Sequence, residues 1–181
     1  MKSSFANNLS SVKFGLLFAL ITLVYGFGLG GTFGLFEENI KKHLNNNAKQ
    51  VSSSVYNGDE AKMKEITDKS WTYFKRAHLH ANGLGTASVA LIILLSFFTV
   101  GNKMKRITAL FLGIGSLGYS MYWMFAGLKA PGLGSTGLAK ESLAWLAFPS
   151  AGLCILGLLM MVIWAVMNLF SKGGNKYNSN R

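Results

Sequence analysis

Hydrophobic and polar positions separate in this chain on the scale of whole segments rather than single residues. Four stretches, 14–36, 81–102, 107–128 and 142–171, contain no Asp, Glu, Lys or Arg. A helix of 22 residues rises about 33 Å, enough to cross a hydrocarbon core of roughly 30 Å. A helix apolar on every side cannot meet water, so such stretches belong in lipid. The pattern predicts an all-α integral membrane four-helix bundle with four transmembrane spans at those positions. The first stretch has the basic flank of a signal peptide in Lys2 and Lys13. Its 23 charge-free residues exceed the roughly 7–15 of a signal core, so it reads as a retained span.

Between the first two spans, 37–80 carries a different period. Ile40, Leu44, Ala48, Val51 and Val55 recur at three- and four-residue steps, an apolar stripe on a helix. Glu37–Lys41 and Glu38–Lys42 stand at i,i+4 in the favourable order. Asn57-Gly58 breaks the chain and Asp59 is a ready N-cap. Met63, Ile66, Ser70, Tyr73 and Ala77 then form a second stripe that runs into the second span. The expectation is a helical hairpin over 37–80 that extends the first two spans outward.

Charge sets the expected orientation. Lys2, Lys13, Lys103, Lys105, Arg106, Lys172, Lys176 and Arg181 would share one side with no acid among them. By the positive-inside rule that side is cytoplasmic, with both termini, and the hairpin is extracytoplasmic. The net charge of +11 is then a topology signal spread over short links, not a nucleic-acid footprint. The simple layout suggests a bacterial cytoplasmic (inner) membrane.

Within the spans, Gly26, Gly30 and Gly34 leave one face of the first as nearly bare backbone, which favours close helix approach in lipid. Ser116, Tyr119, Ser120 and Trp123 share a face of the third, and polar groups there need partners inside the bundle. Pro149 is expected to kink the fourth and to free the Trp145 carbonyl. Of two Gly-x-Gly-x-x-Gly strings, Gly113–Gly118 lies mid-span with no strand before it and reads as a packing surface. The other, Gly132 to Gly137, follows Pro131 in the link between the third and fourth spans. Gly132, Gly134, Ser135, Thr136, Gly137 and Lys140 are candidates for an anion or headgroup loop, set against a tight turn that starts a helix.

Candidate chemistry concentrates in Arg76-Ala77-His78-Leu79-His80-Ala81-Asn82-Gly83-Leu84-Gly85. Neutral imidazole is a common ligand to haem and metals. Residues i and i+2 point about 200° apart on a helix, so His78 and His80 cannot both hold one metal, and one of them is expected to face the bundle. His80, in line with Tyr73, Ala77 and Leu84, is the choice. Met121 and Met124 lie at about the depth of a second axial ligand. Tyr119 and Trp123 could instead meet a quinone headgroup with His80. The alternative reading makes His78, Arg76, Trp71 and Tyr73 an interfacial belt.

The string Ala77 to Gly85 resembles the histidine-bearing helix of small polytopic proteins related to haem–copper oxidase subunit I. That subunit has many more spans and further histidines for a second haem and copper. The resemblance therefore implies a single haem or a non-catalytic module, with His78 and His80 as the ligands to carry over.

The single cysteine excludes a disulfide scaffold, and no metal site of the cysteine kind is expected. No span holds an ionisable carboxylate, lysine or arginine, as ion-coupled carriers need. No catalytic grouping of the hydrolase kind occurs either. The expected role is that of a small subunit or accessory protein of a larger membrane complex, of the electron-transfer kind, active in assembly or stabilisation. Its partners would be lipid and other membrane subunits or further copies of itself. A direct redox role with haem or quinone is the first alternative, and an oligomeric pore or transporter the second.

Overall fold

The computed structural model describes residues 8–170, and those residues are helical with no strand among them. The elements are α1 (Lys13–Gln50), α2 (Ser52–Val55), α3 (Glu60–Phe97), α4 (Asn102–Leu133), α5 (Thr136–Glu141) and α6 (Ala144–Phe170). Among the described residues α1, α3, α4 and α6 are long and apolar enough to cross a membrane. They are compatible with a four-helix membrane bundle.

The bundle is not symmetric. α4 packs extensively on α1, α3 and α6, and α1 on α3, while α6 scarcely touches α3. α4 is thus the hub, and α6 is exposed along most of its length, burying Ser150, Gly157 and Met161. Glycine sets the close approaches, as expected where lipid offers helices no hydrophobic drive to associate. A Cβ on Gly113 would meet the Gly15 carbonyl across α1–α4. One on Gly115 would lie 2.7 Å from Cys154 N, and one on Gly157 3.0 Å from Leu112, across α4–α6. The mid-span Gly-x-Gly-x-x-Gly string is therefore a packing surface on two sides of α4.

Gly26 and Gly30 pack on α3, against Asn82 and His78, but Gly34 has open space beside it. Polar groups are handled locally. Thr22 and Ser116 hydroxyls lie 3.4 Å apart between α1 and α4, and Ser120 donates to the Ser116 carbonyl. At the other end of α3, the buried Lys105 ammonium donates to the Ser96 carbonyl at 2.8 Å. A cation there completes the helix C-terminus and meets its dipole. α6 is held at that end by Trp164 Nε1 donating to Thr108 and by Thr99 N donating to Asn168 at 2.6 Å.

The stretch beyond the first span continues α1 without a break in the chain, with one non-helical residue, Phe36 (φ −131°, ψ 20°), where the charge-free run ends. Leu44 and Ala48 are buried on it. Asn57 (φ 52°) and Gly58 (φ 76°) turn the chain, and Asp59 accepts from Lys62 N at 2.9 Å to start α3. Lys41 pairs with Glu37 and Glu38, rather than Glu38 with Lys42.

One feature differs from the sequence expectation. α4 does not stop near 128 but runs through Pro131 to Leu133, so that Ala130 joins Ala48, Tyr56, Ile66 and Ala139 in one cluster. The 37–80 segment therefore buries its stripes against a third helix end as well as against itself. Pro131 sits in the last turn, three residues ahead of the left-handed Gly134 cap, and its carbonyl accepts from the Tyr56 hydroxyl. Pro149 lies inside α6, which spans Ala144–Phe170.

Candidate functional site

α3 carries His78 and His80, and both are turned to neighbours, half-buried, on two sides of the helix. The expectation that one would face the bundle is corrected. α3 is sandwiched between α1 and α4, so faces about 200° apart both meet protein. His78 goes to α1. Its Nδ1 lies 2.8 Å from the Gly26 carbonyl, which only accepts, so Nδ1 carries the proton. The Asn82 amide nitrogen stands 3.2 Å from Nδ1 and 3.5 Å from Nε2. The ring needs Gly30, since a Cβ there would lie 2.7 Å from His78 Cε1. Phe33 packs edge-on at 5.9 Å.

His80 goes to α4. Its ring centroid is 5.1 Å from Tyr119, and it stacks on Trp123 at 6.0 Å and 23°. Tyr73 meets Trp123 edge-on at 5.0 Å, and Tyr122 lies 5.1 Å from Trp123. The Arg76 guanidinium is laid over Trp123 at 4.8 Å and Tyr73 at 5.5 Å. The result is a layer of planar groups between α3 and α4, closed on the third side by Leu143, Leu146 and Ala147 at the start of α6. At its centre the Trp123 Nε1–H is buried without a hydrogen-bond partner. Such a donor costs about 1–3 kcal/mol when left unmade.

The structure thus brings together His80, Tyr119 and Trp123, and separates the methionines from them. Met124 accepts a hydrogen bond from Tyr25 at 3.0 Å, on the α1 side. Met121, half-buried, is two residues from both Tyr119 and Trp123 and so points to the far side of α4 from that pair. No group of three or more His, Cys, Asp or Glu able to hold a metal occurs among the described residues. His80 and either methionine do not make an axial pair, so a two-ligand haem does not fit these residues. The donor set fits a planar carbonyl-bearing headgroup better, because the orphaned donor is an indole N–H and an imidazole and phenols pack around its ring.

The Gly132–Gly137 loop is a tight turn that starts a helix. Gly134 is the left-handed cap of α4 (φ 59°), packed on Val55 and Tyr56. The Ser135 hydroxyl accepts from Leu138 N, and Thr136 opens α5. Gly132 lines a cavity of about 410 Å³ with Lys129, whereas Lys140 lines another with Tyr122 and Phe148. Gly137 packs only against Ser135. The loop's candidate residues do not converge on one point.

Tyr73, which the sequence set on the His80 face, is joined in the aromatic layer by Arg76 and Tyr122, which it did not place there. The signal was there for Arg76, four residues before His80 and so on the same helical face. Comparison with known proteins found no matching family, no matching curated protein and no matching solved structure.

Proposed function

We propose that this protein is a small integral membrane subunit or accessory protein of a larger electron-transfer complex, to which it contributes a quinone-headgroup site. The observation that carries the reading is the buried, unpartnered Trp123 N–H inside the layer of His80, Tyr119, Tyr73 and Tyr122. A quinone, when bound, supplies electron carriage. The chain's own residues would bind and orient it. Trp123 donates to a carbonyl, His80 and Tyr119 flank the ring, and the start of α6 excludes water from one side.

The assembly half of the proposal rests on α1. Gly28, Gly31 and Gly34 are exposed with nothing beside them. Against lipid alone such glycines lose helix stability with no packing in return, whereas against another helix they allow close approach. In this reading 37–80 lies outside the membrane and the link 98–101 in the cytoplasm, in a bacterial inner membrane.

The test is fluorescence of the protein in lipid discs titrated with a ring-only, fully substituted quinone. Part of the emission of the four tryptophans should be quenched saturably. That part should vanish in Trp123→Phe, and the titration should shift to higher concentration in His80→Ala. Equal quenching of the parent and Trp123→Phe would sink the quinone site.

A further inference from the structure

Below the aromatic layer, α3 and α6 flank α4 without closing on each other. The space between them is an apolar cavity of about 240 Å³, lined by Leu84, Ala87 and Leu91 of α3, Leu112 of α4, and Ile155 and Leu158 of α6. Its few polar atoms are occupied or weak. Ser88 Oγ donates to the Leu112 carbonyl at 3.2 Å, and the Cys154 thiol packs on Gly115.

The register of the helices joins this groove to the layer above. His80, Leu84, Ala87 and Leu91 are spaced i, i+4, i+7 and i+11, one face of α3, and Leu112, Tyr119 and Trp123 follow the same spacing on α4. At 1.5 Å per residue the groove begins about 6 Å below His80 and reaches about 16 Å below it.

We propose that the groove between α3 and α6 holds the isoprenoid chain of the quinone whose headgroup the His80–Tyr119–Trp123 layer takes, so that one amphipathic molecule fills both. This rests on the quinone reading above and adds to it where the tail runs. Three observations favour this occupant. The fully buried side-chain group without a partner in the layer, Trp123 Nε1–H, is a donor, which suits a carbonyl. The layer consists of ring planes, which offer stacking and edge contacts to a flat head. Its cation, Arg76, already lies over two rings, a poor arrangement for a lipid phosphate. The groove beneath is open between two helices, so a chain can enter it sideways from the bilayer.

The experiment uses the full chain in lipid discs and a quinone carrying a photoreactive group on its isoprenoid chain, with the labelled residues located by mass spectrometry. Labelling is expected within 84–91 and 154–158. It should fall about tenfold when an unlabelled chain-bearing quinone is present at roughly ten times its dissociation constant, by simple competition. Labels scattered over lipid-facing positions such as Phe27 and Leu169, with no competition, would overturn the groove. If saturable Trp123 quenching persisted in that case, the headgroup site would stand. Groove labelling displaced by an anionic phospholipid but not by quinone would also overturn the proposal, by naming a different occupant. Absence of both labelling and quenching would remove the groove and the headgroup site together.

Discussion

At the scale of the residue, one hydrogen bond reports on the whole α1–α3 turn. Tyr56 is 2 % exposed and its hydroxyl donates to the Pro131 carbonyl at 2.7 Å. Burial pushes its phenol pKa above the ordinary 10.0. The protonated form is therefore the one the fold accepts. Its contribution is complete below pH 10 and is lost as pH rises beyond that through the higher folded value. Tyr56→Phe should cost about 1 kcal/mol at neutral pH, the net worth of one such bond. It should also flatten the loss of thermal stability that the parent shows in alkaline detergent. A variant with the same alkaline slope as the parent would show that another group titrates.

At this scale much was legible. Asp59 caps α3 because a carboxylate there can reach Lys62 N, and Asn57-Gly58 turns because both tolerate positive φ. Less legible were the partners of His78 and Met124. A sequence gives the angle between side chains on one helix, but not which neighbour each angle meets.

At the scale of the element, glycines of one composition have two fates. Gly113 sits where α1 and α4 touch backbone to backbone, while Gly31 faces open space. Gly113→Leu should destabilise the bundle by about 1–3 kcal/mol or more, the cost of overpacking, read as a lowered Tm in detergent. Gly31→Leu should leave Tm at or above that of the parent, because replacing an interior helical glycine gains up to about 1 kcal/mol, yet weaken co-migration with partner subunits on native gels. Comparable loss of Tm in both would place Gly31 inside the monomer's own packing. The extension of α4 to Leu133 belongs to this scale too. Pro131 reads as a stop, and only the Gly134 cap and the cluster of Ala130 with Tyr56 show why the helix survives it. With 37–80 outside the membrane, as proposed, burial of a side chain such as Leu44 has its aqueous hydrophobic worth, about 1.5–3 kcal/mol, which lipid does not provide.

At the scale of the whole molecule, the proposed orientation has a direct test. With Cys154 replaced by Ala, the single cysteine of Ser53→Cys in the exposed α2 should react with a membrane-impermeant maleimide in intact cells. That of Lys103→Cys should react only after permeabilisation. The reverse pattern would invert the topology and place the His80 layer on the cytoplasmic side.

The spans were legible because removing charge from twenty or so consecutive residues is a demand of the solvent, and every position must obey it. Solvent cannot dictate which helix becomes the hub. That choice depends on shape, on the close approaches at Gly15, Gly113, Gly115 and Gly157, and on which α3 face they leave for α6. The sequence alone therefore determined that four helices are built for lipid and that a capped helical stretch joins the first two. Tertiary structure alone decided that α4 stands between the others, that His78 and His80 face different neighbours, and that a groove opens beneath Trp123. Segment chemistry is local, whereas pairwise fit arises only when separate surfaces meet.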